Sequence, residues 1–397
     1  MRKLIVVGLL AGMIRTVHGA EQLSVAQLEQ KLAASLNHDA GGGSDHAQTD
    51  AFNDLDAGSG TLATADESSE LARQLYGVEL TERLTAKTFD RFLAKYQLGL
   101  EAQWALVYLQ DRSEFLDSPQ AEWLTLPAPD TESEKHTLEL ARGYVFQTLL
   151  RLPNFFATRK TTRFVSDTQT WDELKVPNRE GPHLAGSSVL EITFRDGKEF
   201  VAPAETMGMK RIPVDAGLAS QGEFGPELAI VLVDLADQAN GAAKFHHWET
   251  TPDGPAAVYQ YTVAATGSHY AVNYACAVNT AFHAFPSYHG SIAINPSTGA
   301  VLRMTLAADW KPGDPITHVT SAIDYGPVTI GDREYICPLM SIASMTVEAD
   351  ACGRHGTAKQ LAKPETMLNR TTFSNYHRLG STLTILPSEK VGQQESK

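Results

Sequence analysis

The sequence predicts an α+β fold: an N-terminal helical region followed by an antiparallel, curved β-sheet, a half-barrel-like meander with one helix packed on it. Three observations predict it. Residues 288–347 read as four consecutive strands joined by short turns, and such a meander makes a twisted sheet with one face buried. Ahead of residue 152 apolar side chains recur at helical spacing, whereas beyond Thr162 the period falls to two. Residues 225–240 are apolar around most of a helical circumference, with Leu228, Ile230, Leu232, Val233 and Leu235, which calls for burial against the sheet.

The chain opens on the cationic Met1-Arg2-Lys3, followed by an apolar run of eleven residues over 4–14. Val17 and Gly19 stand at −3 and −1 of a cut before Ala20, the pattern of a secretory signal peptide over residues 1–19. A hydrocarbon layer needs about 20 apolar residues, so the expectation is an exported product, periplasmic or extracellular, with no transmembrane span. Residues 23–36 have helical spacing, with Ser24 as N-cap and Val25, Leu28, Leu32 and Leu36 on one side. Over 37–66 the chain turns to Gly41-Gly42-Gly43, Gly58-Ser59-Gly60 and scattered Asp, Ser and Ala. Too few large apolar residues remain to offset ordering entropy, so 20–66 is expected to be a short helix and a flexible acidic linker.

A helical region is expected over 67–152. Leu71 and Leu75 lead to Gly77 as a C-cap, and a helix after Thr81 or Thr85 carries Phe89, Phe92, Leu93 and Tyr96. A third, over 101–115, carries Trp104, Val107, Tyr108 and Phe115. Pro119, Pro127 and Pro129 interrupt the pattern. Thr131 with Glu134 forms a capping box for a fourth helix to Arg151, with Leu138, Ala141, Val145 and Leu149 on one face.

The sheet domain is expected over 153–387, ahead of a disordered polar tail over 388–397. Its best hairpin signal is Arg195-Asp196-Gly197-Lys198, an Asp-Gly turn between apolar segments. Strands over 258–263 and 269–276 precede the meander. Within it, Asn295-Pro296-Ser297-Thr298-Gly299 makes the first reversal and Lys311-Pro312-Gly313-Asp314-Pro315 the second. Gly326-Pro327 is read as the third, with the last strand from about Tyr335, and a pair over 371–379 and 381–387 closes the fold.

Lys and Arg number 33 against 47 Asp and Glu, a formal charge of −14, and residues 1–19 contribute three cations and no acid. Such a field repels phosphate backbones and anionic lipid surfaces, which excludes sequence-independent nucleic-acid binding. Cys276, Cys337 and Cys352 allow at most one disulfide. Cys337 and Cys352 stand near opposite ends of one expected strand, beyond bridging distance, and the simpler expectation is no bridge. Cys337 beside Pro338 marks a bulge or an edge.

Alternation divides the strands into two faces. Gln260, Thr262, His269, Asn273, Arg303, Thr305, His318, Thr320 and Asp324 form the polar one. The other is broad and apolar, and its candidate ligand-binding residues are Tyr259, Tyr261, Tyr270, Val272, Tyr274, Ile292, Ile294, Leu302, Met304, Leu306, Ile323 and Tyr325. Tyrosine buries a ring while keeping a hydroxyl for a partner, which suits the wall of a pocket. Two readings of this face stay open: plain core beneath the 225–240 helix, or a site for an apolar or amphipathic ligand.

The segments Asn154-Phe155-Phe156-Ala157-Thr158-Arg159, Glu223-Phe224-Gly225-Pro226, His247-Trp248-Glu249, Tyr288-His289-Gly290 with the Asn295–Gly299 turn, and Tyr325-Gly326-Pro327 through Tyr335-Ile336-Cys337-Pro338 resemble an uncharacterised family of exported bacterial proteins. The resemblance covers most of residues 71–386 and brings no activity with it. The strand–turn–strand pattern after Tyr288 is also similar to periplasmic lipoprotein carriers of the LolA-like superfamily. That resemblance implies an unclosed β-barrel with helices in its mouth and a lipid or lipoprotein acyl chain as partner.

No motif names a reaction. There is no Gly-x-Ser-x-Gly elbow, His-Glu-x-x-His, Cys-x-x-Cys or phosphate-binding glycine loop, so no catalytic residue, metal or cofactor is assigned. Asp309, Asp314 and Asp324 are spaced like turn and solvent-face residues. His246 and His247 would point to opposite faces of a regular strand and could share an ion only across an irregular backbone. Two further readings therefore stay open. One is an envelope protein-interaction module using the helical region or a strand edge. The other is a hydrolase built around His246, His247 and His289.

Overall fold

The computed structural model describes residues 20–37, 65–166, 182–196, 198–201, 226–236, 241–252, 254–275, 281–348 and 365–379. The expected leader, the linker over 38–64, the strand at 381–387 and the tail lie outside these residues, as do Cys276 and Cys352.

The chain divides into two compact units at Leu116/Asp117. The first holds β1 (Glu21–Leu23), α1 (Val25–Asn37), α2 (Ala65–Tyr76), β2 (Val78–Leu80), α3 (Ala86–Lys95) and α4 (Leu100–Ser113). Ser24 caps α1 reciprocally: its hydroxyl accepts from the Gln27 N–H at 3.2 Å, and its own N–H donates to the Gln27 side chain at 2.8 Å. Gly77 ends α2 by donating to the Gln74 carbonyl, and the chain leaves directly as β2, which pairs in parallel with β1. Leu28, Leu32, Leu75, Phe89 and Phe92, the residues that helical spacing selects, are fully buried.

The second unit begins with α5 (Thr131–Arg151) and continues through β3 (Phe155–Ser166), β4 (His183–Arg195), β5 (Lys198–Val201) and α6 (Pro226–Ala236). Next come β6 (Gly241–Thr251), β7 (Gly254–Val263), β8 (Val272–Ala275), β9 (Ala281–Ala284), β10 (Tyr288–Ile294) and β11 (Val301–Ala308). The last strands are β12 (Ile316–Ile330), β13 (Arg333–Val347) and β14 (Glu365–Arg378). The N-cap of α5 is Asp130, whose carboxylate accepts from the Ser133 N–H at 2.8 Å, so the cap lies one residue ahead of the expected Thr131–Glu134 box. Arg151 is the last residue of the helix, as expected, and Leu152 is its C-cap.

Among the described residues, ten strands form one open antiparallel sheet in the order β5-β4-β3-β14-β13-β12-β11-β10-β7-β6. From β6 to β14 it is a meander broken by one excursion, the separate β8–β9 hairpin. The earlier strands β3 to β5 add beside β14, so the first and last described strands of this unit are neighbours inside the sheet. Asp196 stands at φ 53° in the two-residue reversal between Arg195 and Lys198, the hairpin that Asp-Gly predicts.

Two expectations change. The third reversal is not at Gly326-Pro327: β12 runs on to Ile330 and turns at Gly331, whose φ is 71°. A bulge pairs Asp324 with Met340 and Tyr325 with Pro338, leaving Leu339 without a partner on β12. Both prolines sit at or beside that irregularity, where a missing N–H does least harm. The bulge that Cys337-Pro338 suggests is thus present. The strand expected over 269–276 begins only at Val272 and pairs with β9, because the His269 N–H is taken by a side chain, Asp234, at 3.0 Å.

Candidate functional site

Direct partners across an antiparallel ladder share a face, as do residues two apart on one strand. One row of partners can be followed through nine strands: Phe245, Tyr259, Ile292, Met304, Ile323, Ser341, Thr371, Thr161 and Ser188. Halfway along, at the step from β12 to β13, it changes from apolar to polar. The neighbouring row repeats the change, from Leu306 to Ser321, Ala343, Asn369 and Arg163.

The apolar half is covered by helices. Tyr259, Tyr261, Ile292, Ile294, Met304, Leu306 and Ile323 are buried in one cluster with Ala141 and Val145 of α5 and Leu228, Val231 and Leu232 of α6, while Tyr270 and Tyr325 pack against it. Val272 and Tyr274 join a second cluster with Ile316, Val319, Met345 and Met367, so the β8–β9 hairpin covers the adjoining part of the same face. Leu302 stands apart, beside Ala256, Val258 and Ala293. The ladder pairs Ala293 with Arg303 and Ile294 with Val301, so Leu302 is the extra residue of a bulge, and strict alternation fails there.

The polar residues form a band about two rows wide, flanked on the same face by Met345 and Met367 on one side and Phe373 on the other, and they too are shielded. Ser321, Ser341, Asn369 and Thr371 are buried, and Thr161, Arg163 and Ser188 are half-buried. The Arg163 Nε–H donates to Asn369 Oδ1 at 2.9 Å, and the hydroxyls of Thr161 and Thr371 lie 3.2 Å apart. Burial pulls the Arg163 guanidinium below its ordinary pKa. Sequence reasoning missed this band because Ser, Thr and Asn at alternate positions read as a water-facing side. Only the pairing of β14 with β3, more than two hundred residues away, brings them into one patch.

A buried carboxylate ties α6 to the apolar half. Asp234 accepts from the Tyr288 hydroxyl at 2.7 Å, from the His269 N–H at 3.0 Å and from His269 Nδ1 at 2.5 Å. Its side chain is fully buried, so these donors replace the water that it gives up. Burial first, and then the Asp234 carboxylate, hold the Tyr288 hydroxyl well above the ordinary phenol range.

The histidines of the hydrolase reading separate. His289 faces Asp309, Nδ1 to Oδ1 at 3.0 Å. His246 and His247 come together instead, because β6 bulges between Phe245 and His247 and brings their ring centroids within 4.9 Å. This is the irregular backbone that a shared ion would require.

No family model matches the chain, and neither does any curated protein. Among solved structures, a LolA superfamily protein from Nitrosomonas europaea is similar at a TM-score of 0.24 and 10% identity, over 62% of this chain and 94% of that one. At that TM-score the likeness transfers neither fold nor ligand. What is established for this chain is the architecture itself: α+β, an open ten-stranded antiparallel sheet, and, among the described residues, no helix long and apolar enough to cross a membrane.

Proposed function

We propose that the chain is an exported binding protein for an amphipathic molecule, of the class of a lipid or a lipoprotein acyl chain. The acyl part would lie between the apolar half of the sheet and α5 and α6, in place of contacts that those helices now make with it, and the polar end on the band at Arg163, Asn369 and Thr371. The observation that carries this reading is the change from apolar to polar within single ladder rows of one shielded face. The Arg163 guanidinium, half-buried beside Asn369, gives this band a cationic donor. A ligand with a greasy chain and an anionic head uses both halves. The first nineteen residues supply the reason for placing the protein outside the cytoplasm.

Organic extraction of natively purified protein, followed by mass spectrometry, should recover a bound amphiphile, and a fluorescent fatty acid should bind and be displaced by it. Arg163→Gln should weaken an anionic fatty acid about tenfold or more, the worth of one charge-assisted hydrogen bond, and leave the uncharged alcohol of equal chain length unchanged. A clean apo mass together with no fatty-acid binding would remove the proposal.

A further inference from the structure

We propose that Asp117, His246 and His247 form a binding site for one divalent transition-metal ion, zinc foremost, at the edge of the sheet. The proposal is independent of any ligand on the covered face. It starts from β6, an edge strand whose bulge turns two consecutive histidines toward each other. The segment before α5 runs along that edge. A bridge joins Trp123 to Glu249, the Leu124 N–H donates to the Trp248 carbonyl at 3.0 Å, and the Trp248 indole N–H donates to the Pro127 carbonyl at 2.9 Å. Asp117 begins that segment and is thereby brought to the histidine pair.

The ligand atoms of Asp117, His246 and His247 lie within 4.8 Å of one another. A tetrahedral zinc with bonds of about 2.0–2.1 Å spaces its ligand atoms about 3.3–3.4 Å apart. The pair Asp117 Oδ2 and His246 Nε2, at 3.1 Å, already has about that spacing, while the set as a whole spans up to 4.8 Å, so an ion would draw His247 and the pair together by as much as about 1.5 Å. Two imidazoles and a carboxylate suit zinc, copper, nickel or cobalt rather than calcium or magnesium. Asp117 and His246 are about one-third exposed, which gives an ion an entry path and leaves room for water at a fourth position.

The independent observation is His247. Its side chain is 3% exposed, and its Nε2 lies 3.1 Å from Glu249 Oε1, which also accepts the Ser118 hydroxyl at 2.7 Å. A carboxylate there places the proton on Nε2 and leaves a bare lone pair on Nδ1. That Nδ1 is buried and has no hydrogen-bond partner among the described residues. A buried acceptor left unmade is costly, and a metal ion is what the carboxylate–histidine arrangement serves elsewhere. The Trp123 ring is stacked on the His247 ring at 4.1 Å and 13° and holds it in place, while its N–H is anchored on Ser118. A hydrogen-bonded cluster without an ion would account for Asp117, which also accepts from Gln260 at 3.2 Å, but not for Nδ1 of His247.

The test uses the untagged full chain, stripped with a chelator and dialysed. Titration with Zn²⁺ against a chromophoric competitor should show one tight equivalent per chain, and Co²⁺ should give a visible d–d band that Zn²⁺ bleaches. Asp117→Asn and His246→Gln alter partly exposed side chains and should keep the circular dichroism spectrum while losing at least tenfold in affinity. Glu249→Gln, which touches no ion, should lose about 10–100-fold through His247. No cobalt band in the wild-type chain, or the same single equivalent of zinc in a folded Asp117→Asn/His246→Gln double variant, would overturn the proposal.

Discussion

At the scale of single residues, burial without full pairing makes the sharpest predictions. Cys337 lies in an apolar cluster with Phe155, Ile192, Phe194 and Phe373, and burial pushes its thiol up to about 12. It should resist a maleimide or a disulfide reagent at pH 8 in the native protein and react at once in denaturant. Glu199 meets Arg159 at 2.7 Å, but the contact leaves Arg159 Nε and Glu199 Oε2 buried without hydrogen-bond partners among the described residues. Burial therefore outweighs the attraction of the guanidinium, and the carboxyl is held above its usual range. A carboxyl whose pKa is higher folded than unfolded adds stability below its unfolded value, near 4.3, and loses it as pH rises through the folded value. Urea denaturation at pH 4, 5.5 and 7 should thus show the wild type losing ground to Glu199→Gln as pH rises. A difference growing in the opposite direction would mean that the ion pair dominates.

At the scale of elements, turns were legible where one residue type has one physical reason to be there. Asn295 accepts from the Ser297 and Thr298 N–H groups, and Gly299 takes φ 77°, as the sequence of that reversal implies. Less legible was what the turn does: a Cβ on Gly299 would meet the Leu140 backbone carbonyl of α5 at 2.5 Å, so this loop is the seat of that helix. Gly299→Ala adds a strained φ to that clash and should destabilise the protein by about 2–3 kcal/mol, read from the midpoint of urea unfolding. The other cover, α6, is held by Asp234, which no periodicity could flag because a lone acid on an apolar helix reads as its wet side. Asp234→Ala leaves the Tyr288 hydroxyl and the His269 N–H without their acceptor and should cost about 2–4 kcal/mol. Bulges without a proline were the least visible feature. Nothing local distinguishes Leu302 or His246 from regular strand residues, yet each bulge changes which side chains share a face.

For the whole molecule, alternation identified the buried face but not the neighbours, because ladder partners are chosen by the fold and not by adjacent sequence. The meander from β10 to β13 could be read in order, since each strand pairs with the next. The placement of β14 between β13 and β3 could not, and on it depends the polar half of the proposed site. It also sets how the sheet holds together. Without β14, strands β3 to β5 and strands β6 to β13 share no ladder, and the rows at Asn369 and Thr371 lose their central members. Pairings across such sequence separations form late, after loop closure has been met elsewhere. A chain ending at residue 364 should therefore lose the single cooperative urea transition of the sheet unit and its near-ultraviolet circular dichroism, while the far-ultraviolet helical signal persists. Retention of one sharp transition by that truncated chain would show that the two halves of the sheet are held by α5 and α6 and not by the ladder through β14.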